Sequence, residues 1–270
     1  MSTENISSIT TLLRRARLTA GILAVVIVEA ASASEWQQRW SVAGTPELAV
    51  SSTGIDLIVE PGTDGTVEAV LEADGAALGN PAAKVDHRVS GNTITIDARA
   101  RPFLGARHLR LRIRVPRHID ADLRSRSGAL SVRGLEGNLR LETSSGTLDA
   151  DSLGGRVTVA TRTGTARLSG RFDFLHVRTR SGAIQADVLP GSRLASDWEI
   201  QSASGSVSLR VPSSLAAEIQ ARTLKGEIRS DLPLVVRGRQ DRESLRGELN
   251  GGGPTLLVWS DRGSIRLSAI

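Results

Sequence analysis

SRSGALSV (125–132), SSGTLDA (144–150), RTGTARL (162–168) and RSGAIQA (180–186) are four versions of one phrase. ASGSVSL (203–209), LKGEIRS (224–230) and DRGSIRL (261–267) repeat it three more times. The glycines Gly128, Gly146, Gly164 and Gly182 are spaced by 18 residues, and Gly205, Gly226 and Gly263 follow at intervals of 23, 21 and 37. Self-similarity at a fixed period is the signature of a solenoid or array and outranks local propensity.

Each unit alternates apolar and polar residues, the period of a strand. Five places before the glycine stand Leu123, Leu141, Val159, Val177, Ile200, Ala221 and Val258; two places after it stand Leu130, Leu148, Ala166, Ile184, Val207, Ile228 and Ile265. Three places before it every unit carries a hydroxyl: Ser125, Thr143, Thr161, Thr179, Ser202, Thr223 and Ser260. These columns must face inward, because the residues between them are mostly charged or polar. The glycine then allows a corner between two strands, and each coil buries its apolar face only by stacking on neighbours. Stacked hydroxyls can form a hydrogen-bonded ladder near that corner.

The predicted fold class is therefore all-β: a single-domain stacked β-solenoid with coils of about 18 residues, regular over 121–270. Residues 46–120 read as looser N-terminal coils and a cap. Candidate strands there are 48–51, 55–60, 66–72, 84–89, 93–98 and 108–115, separated by turn signals such as Pro61-Gly62 and Gly91-Asn92. LRGELNGGG (245–253) reads as a hairpin or projecting loop before the final coil.

Upstream, Arg14, Arg15 and Arg17 precede the apolar run LTAGILAVVIV (18–28), and Ala31-Ser32-Ala33 offers a small–x–small cleavage pattern. Basic, apolar and small segments in that order describe a secretory signal. Residues 1–33 are thus expected to form a signal peptide with a signal helix, the alternative being a retained anchor, and 34–45 a linker. The 11-residue run is well short of the ~20 residues that span a bilayer.

With no Cys, the chain has no disulfide, thiolate metal site or Cys nucleophile. His87, His108, His118 and His176 lack metal-ligand spacing, and no nucleophile elbow, phosphate loop or dinucleotide fingerprint occurs. No catalytic residue, metal or cofactor is expected. One carboxylate pair marks an enzymatic alternative. Asp151 and Asp187 each follow their corner glycine by five residues, two coils apart with Ser169 between, so their backbones should lie ~10 Å apart. That is near the range of an inverting glycosidase.

The candidate binding residues form a basic stripe. Arg124, Arg178 and Arg222 stand four places before their glycines; Arg126, Arg162 and Arg180 stand two before. Of 34 basic residues 32 are Arg, whose planar fork suits phosphate and carboxylate. Unpaired guanidinium rows fit anionic glycans or lipid headgroups, with Glu142 interrupting the stripe. Nucleic acid is disfavoured, since the exposed columns lack aromatics for base stacking.

The phrase L-x-V-x-T-x-S-G-x-[IL], the steps Val115-Pro116 and Val211-Pro212, and the closing GELNGGGPTLLVWSDRGSIRL (247–267) resemble the bacterial putative-adhesin domain family. The resemblance covers about residues 46–270. It implies an exported, adhesin-head-like β-solenoid domain with no assigned activity, located in the periplasm or at the cell surface. The expected function is that of a non-enzymatic binding or structural module of the envelope. Its partner would be an anionic glycan, a lipid headgroup or an envelope protein, with membrane contact only if the N-terminus is retained. The alternatives are a carbohydrate-active β-helix enzyme and a membrane-anchored signalling accessory protein.

Overall fold

A computed structural model describes residues 34–74, 83–101, 108–237 and 241–270. The expected signal peptide and its helix lie outside the described residues. Among those described there are strands and turns and no helix, so the all-β solenoid expectation holds.

Each coil runs up one wall, turns at its corner and returns along a second wall. The front strands of the regular coils are β8 (Asp120–Ser127), β10 (Glu136–Ser145), the later parts of β11 (Leu148–Thr163) and β12 (Ala166–Ser181), then β14 (Trp198–Ser204), β16 (Ala217–Lys225) and β20 (Thr255–Arg262). The matching back strands are β9 (Leu130–Arg133), the early parts of β11 and β12, β13 (Ile184–Val188), β15 (Val207–Val211), β17 (Ile228–Ser230) and β21 (Ile265–Ala269). β11 and β12 pass through the second corner without a break. Their pairing shifts register at Ala150/Leu153 and Gly155/Arg156, and such bulges bend a strand. All inter-coil pairing along both walls is parallel, which explains why the apolar columns align without sequence-adjacent hairpins.

The alternation works as a core specification. Leu123, Leu141, Val159, Val177, Ile200, Ala221 and Val258 are buried, as are Leu130, Leu148, Ala166, Ile184, Val207 and Ile265, while the intervening arginines are exposed. Ile228, on the end strand β17 that among the described strands pairs with β21 alone, is only partly buried. Trp198, wholly buried, meets Phe172 edge-on at 6.3 Å and donates Nε1–H to the Asp173 carbonyl at 3.3 Å. The seven hydroxyls are all buried. They form a ladder only in part: Thr161 donates to Thr179 at 2.7 Å. Ser260, Thr223 and Ser202 instead donate to the corner-glycine carbonyls of the adjoining coils, Gly205, Gly263 and Gly182.

The N-terminal region is more regular than expected. The six candidate strands correspond to β2 (Glu47–Thr53), β3 (Asp56–Pro61), β4 (Thr66–Asp74), β5 (Ala83–Ser90), β6 (Thr93–Ala100) and β7 (His108–Val115), five lying wholly within them and 55–60 beginning one residue before β3. β2 and β3 make a full coil in register with β8 and β9, pairing Leu48 with Ala121, Val50 with Leu123 and Leu57 with Leu130. Ser52 adds an eighth buried hydroxyl. Here Gly54 stands one place early and Ile55 occupies the corner, which hid this coil from a glycine-based alignment.

The expected linker needs correction. Residues 34–41 form β1 (Ser34–Ser41), antiparallel to β4, because Trp40 and Val42 are buried against the cap. Of the hairpin or projecting loop expected at 245–253, the antiparallel strand alternative is the one found: β19 (Ser244–Leu249) is antiparallel to β16, with Leu245 and Leu249 buried. β18 (Val235–Val236) pairs with its other edge.

Coil order in space departs from coil order in sequence at both ends. The front wall runs β6–β2–β8–β10–β11–β12–β14–β20–β16, and the back wall β7–β3–β9–β11–β12–β13–β15–β21–β17. The first coil, 47–61, is thus inserted between β6 and β7 on one side and 120–133 on the other. The last, 255–269, is inserted between 198–211 and 217–230. Antiparallel strands β5 and β4 cover one end and β19 the front of the other.

Candidate functional site

Strand alternation sets what the front wall presents. With Ser125, Thr143, Thr161 and Thr179 inward, the residues on either side must point out. Arg124 and Arg126 stand outward on β8, Glu142 and Ser144 on β10, Ala160 and Arg162 on β11, Arg178 and Arg180 on β12. Ser144 and Ala160 are short, so the wall is hollow there. A groove of about 560 Å³ runs along the stack, with Arg124, Arg126, Glu142, Arg162 and Arg180 around it.

Five of the six arginines of the predicted stripe stand on this stretch of wall, Arg178 lining the adjoining hollow. The sixth, Arg222, lies on β16 with its guanidinium over the Trp259 ring, 5.3 Å from the centroid. The arginines are not equivalent. Arg124 makes a forked pair with Asp122 (2.9 and 2.6 Å) and lies 3.7 Å from Glu142; its bond to Asp122 raises its pKa further above the ordinary range. Arg178 reaches Glu199 at 3.2 Å. Among the described residues Arg126, Arg162 and Arg180 have no ion pair. Glu142 is engaged by Arg140 as well as Arg124, so its charge is largely answered by neighbours outside the unpaired row. What remains is a groove with three uncommitted planar cations, a geometry that receives carboxylate, sulfate or phosphate oxygens.

The Asp151–Asp187 column lies on the back wall, away from this groove. Register pairs Arg133 with Asp151, and Ser169 with Asp187 and then Arg210; the hydrogen bond from Ser169 to Asp151 joins the two sets into one row. Asp151 accepts hydrogen bonds from Ser169 at 2.6 Å and Ser152 at 3.2 Å. Asp187 takes the fork of Arg210, which raises the Arg210 pKa. Both carboxylates are thus occupied by neighbours in their own row, as structural surface pairs are. No group of three or more His, Asp or Glu among the described residues is placed to hold a metal ion.

Gln201, Trp259 and Asp261 continue the outward rows beyond Arg178 and Arg180, and Trp259 corrects the expectation that the exposed columns lack aromatics. The signal was present in SDRG, where an acidic residue occupies a column otherwise rich in arginine, with the chain's last tryptophan two places earlier.

The chain matches the family described as Toastrack DUF4097 over residues 110–268. Among solved structures it is similar to a putative cell adhesion protein from Clostridium sporogenes, at 7% identity over 87% of this chain and 99% of that one, with a TM-score of 0.32. It is also similar to a putative adhesin from Bacteroides fragilis (12% identity, 87% and 96%, TM-score 0.32) and one from Parabacteroides merdae (10%, 87% and 95%, 0.31). No curated protein matches it significantly.

Proposed function

The chain belongs to the Toastrack DUF4097 family, and from that premise we propose that it is a non-enzymatic binding module of the bacterial envelope. Its working surface is the arginine groove of the front wall, and its ligand is extended and anionic. The leader at 1–33, with its arginines and apolar run, supports export to the periplasm or cell surface.

The observation that carries the reading is the set Arg126, Arg162 and Arg180, three cations without an acidic partner among the described residues, opening on one groove. Arg162 and Arg180 sit on adjacent coils, where like charges repel unless an anion lies between them. A rigid stacked wall fixes the backbone from which these side chains project, so binding orders their rotamers but not the chain, which favours an extended partner.

The test is titration of the full-length protein with polyanions, polyphosphate and acidic polysaccharides among them, at low and moderate salt. Binding should weaken with salt and fall at least about tenfold in the double variant Arg162→Ala/Arg180→Ala, as expected when two charge-assisted contacts are lost. Undiminished binding in that variant would move the site elsewhere, and no binding at either salt would remove the reading.

A further inference from the structure

The groove does not stop where its arginines stop. Beyond Arg180 the same outward row continues to Ala203 on β14 and Asp261 on β20, and the row beside it to Gln201 and Trp259. A second compartment of about 320 Å³, lined by Arg178, Arg180, Gln201, Ala203 and Asp261, shares Ala160, Thr161 and Arg180 with the first. Ala160 and Ala203 give these compartments their depth, each placing a methyl group between longer side chains.

Trp259, like Phe174 on β12 with Arg156 over its ring, is an aromatic of the stack that is only partly buried. Trp198 and Phe172 are wholly buried, whereas Trp259 points outward and is only half-buried. Its ring is fixed on two sides: Nε1–H donates to Asp261 Oδ1 at 2.5 Å, and the Arg222 guanidinium covers one flank. Its register partner on the next coil is Gln201. An oriented indole beside a carboxylate, a primary amide and a guanidinium has the chemistry to take a sugar. The ring offers a π-surface to the C–H face of a pyranose, and the polar groups answer hydroxyls with both donors and acceptors.

The order of charges decides which polyanion fits. Going along the row, Arg126, Arg162 and Arg180 are positive, and Asp261 is negative. A uniformly charged polymer filling both compartments would set its last charges against Asp261, and such like-charge contacts discriminate between ligands. A polymer that mixes acidic and neutral units avoids that penalty. The step between coils, ~4.8 Å, is also close to the advance of one pyranose unit along an extended chain.

Resting on the arginine-groove reading above, we infer that the ligand is an acidic polysaccharide containing both charged and uncharged units. Arg126, Arg162 and Arg180 hold its acid groups, and Trp259, Gln201 and Asp261 seat a neutral sugar unit. Trp259 stands at the edge of the second compartment, beside its lining residues Gln201 and Asp261, and two coil steps, ~10 Å, from Arg180, so one saccharide chain spans from the arginines to the ring.

The experiment is calorimetric titration of the full-length protein with oligosaccharides of hyaluronan and of unsulfated chondroitin, which carry an uncharged N-acetylhexosamine between uronates, and with polyphosphate of matched charge. Trp259→Ala should weaken binding of at least one glycan about tenfold, the loss of one stacked ring, and leave polyphosphate unchanged. Trp259→Phe should restore much of the loss, and Gln201→Ala should weaken the same glycan; melting curves confirm that the variants remain folded. If the glycan is held equally well by Trp259→Ala and wild type, or if both ligand types weaken together, the sugar subsite is overturned while the arginine groove stands. Polyphosphate binding with neither glycan bound overturns it equally. Failure of all three ligands on the wild type removes the arginine-groove reading itself.

Discussion

The α-carbon of Gly182 rests against the carbonyl oxygen of Gly164, and a methyl group added to it would overlap that oxygen. The same relation joins Gly146 to Gly128, Gly164 to Gly146, Gly205 to Gly182, Gly263 to Gly205 and Gly226 to Gly263. The corner glycines therefore form one column in contact, and their order repeats the order of the coils in space. Spacing between coils is set by the strand ladders, so neither partner in the column can retreat from the other.

Gly182→Ala should cost about 3 kcal/mol or more, combining backbone overlap with a φ of +141°. Gly91 supplies the control. Its φ is +58°, but an added methyl meets nothing within 4 Å, so Gly91→Ala should cost about 1 kcal/mol. Thermal or urea unfolding of the two variants distinguishes them, and equal losses would show that conformational strain, not coil contact, requires the corner glycine.

Two hydroxyls in the buried column behave oppositely to their neighbours. Thr143 Oγ1 and Ser52 Oγ are buried without a hydrogen-bond partner, whereas Thr161 donates to Thr179. Thr143→Val keeps the shape and removes an unsatisfied group, so it should stabilise the fold by about 1 kcal/mol. Thr161→Val deprives Thr179 of its donor and should destabilise by a similar amount. Denaturant midpoints moving in the same direction for both would contradict the assignment.

His176 makes stability depend on pH. Burial holds its imidazole below the ordinary value of 6.5; Glu199, 3.3 Å from Nδ1, opposes that shift and Arg178 adds to it. The folded protein thus takes up this proton less readily than the unfolded chain. The contribution of His176 is complete above the unfolded value and is lost as pH falls from there towards the folded one. Between about pH 7.5 and about pH 5.5 the wild type should lose more melting temperature than His176→Gln. Parallel losses would show that other groups govern the slope.

Deleting residues 255–270 removes a coil from inside the stack, since this coil separates 198–211 from 217–230. The deletion should abolish cooperative unfolding and expose apolar surface to a hydrophobic dye, because a missing internal layer leaves two faces uncovered. A truncated chain that melts as sharply as the wild type, with lower amplitude alone, would mean that the coil is peripheral.

How far these features were legible in the sequence depends on what each residue pattern encodes. Alternation around Gly128, Gly146, Gly164 and Gly182 states which side chains are buried, and the structure follows it residue by residue. Alternation does not state which coil is the neighbour. In a parallel stack Leu256 meets Trp198 and Ile219 with equal apolar complementarity, so the insertion of the last coil leaves no mark beyond the 37-residue gap between Gly226 and Gly263. The coil at 47–61 was obscured by a one-residue displacement of its glycine. β1 was missed because SEWQQRWS alternates weakly and gains its strand character from Trp40 packing on the cap. For the candidate site, spacing alone placed Arg126, Arg162 and Arg180 on one outward face. Which of the arginines are free depended on carboxylates brought in from other positions, such as Asp122 and Glu199.

The inserted final coil also determines how the molecule would respond to a pull on its C-terminus. A coil at the end of a stack peels away by breaking one row of hydrogen bonds at a time. The strand that ends beside Ile270 is hydrogen-bonded on both sides, to β15 and to β17, and the strand before it to β14 and β16. Tension on that terminus must shear both flanks together, so the chain is fastened at its tail as a tenon is held in a mortise.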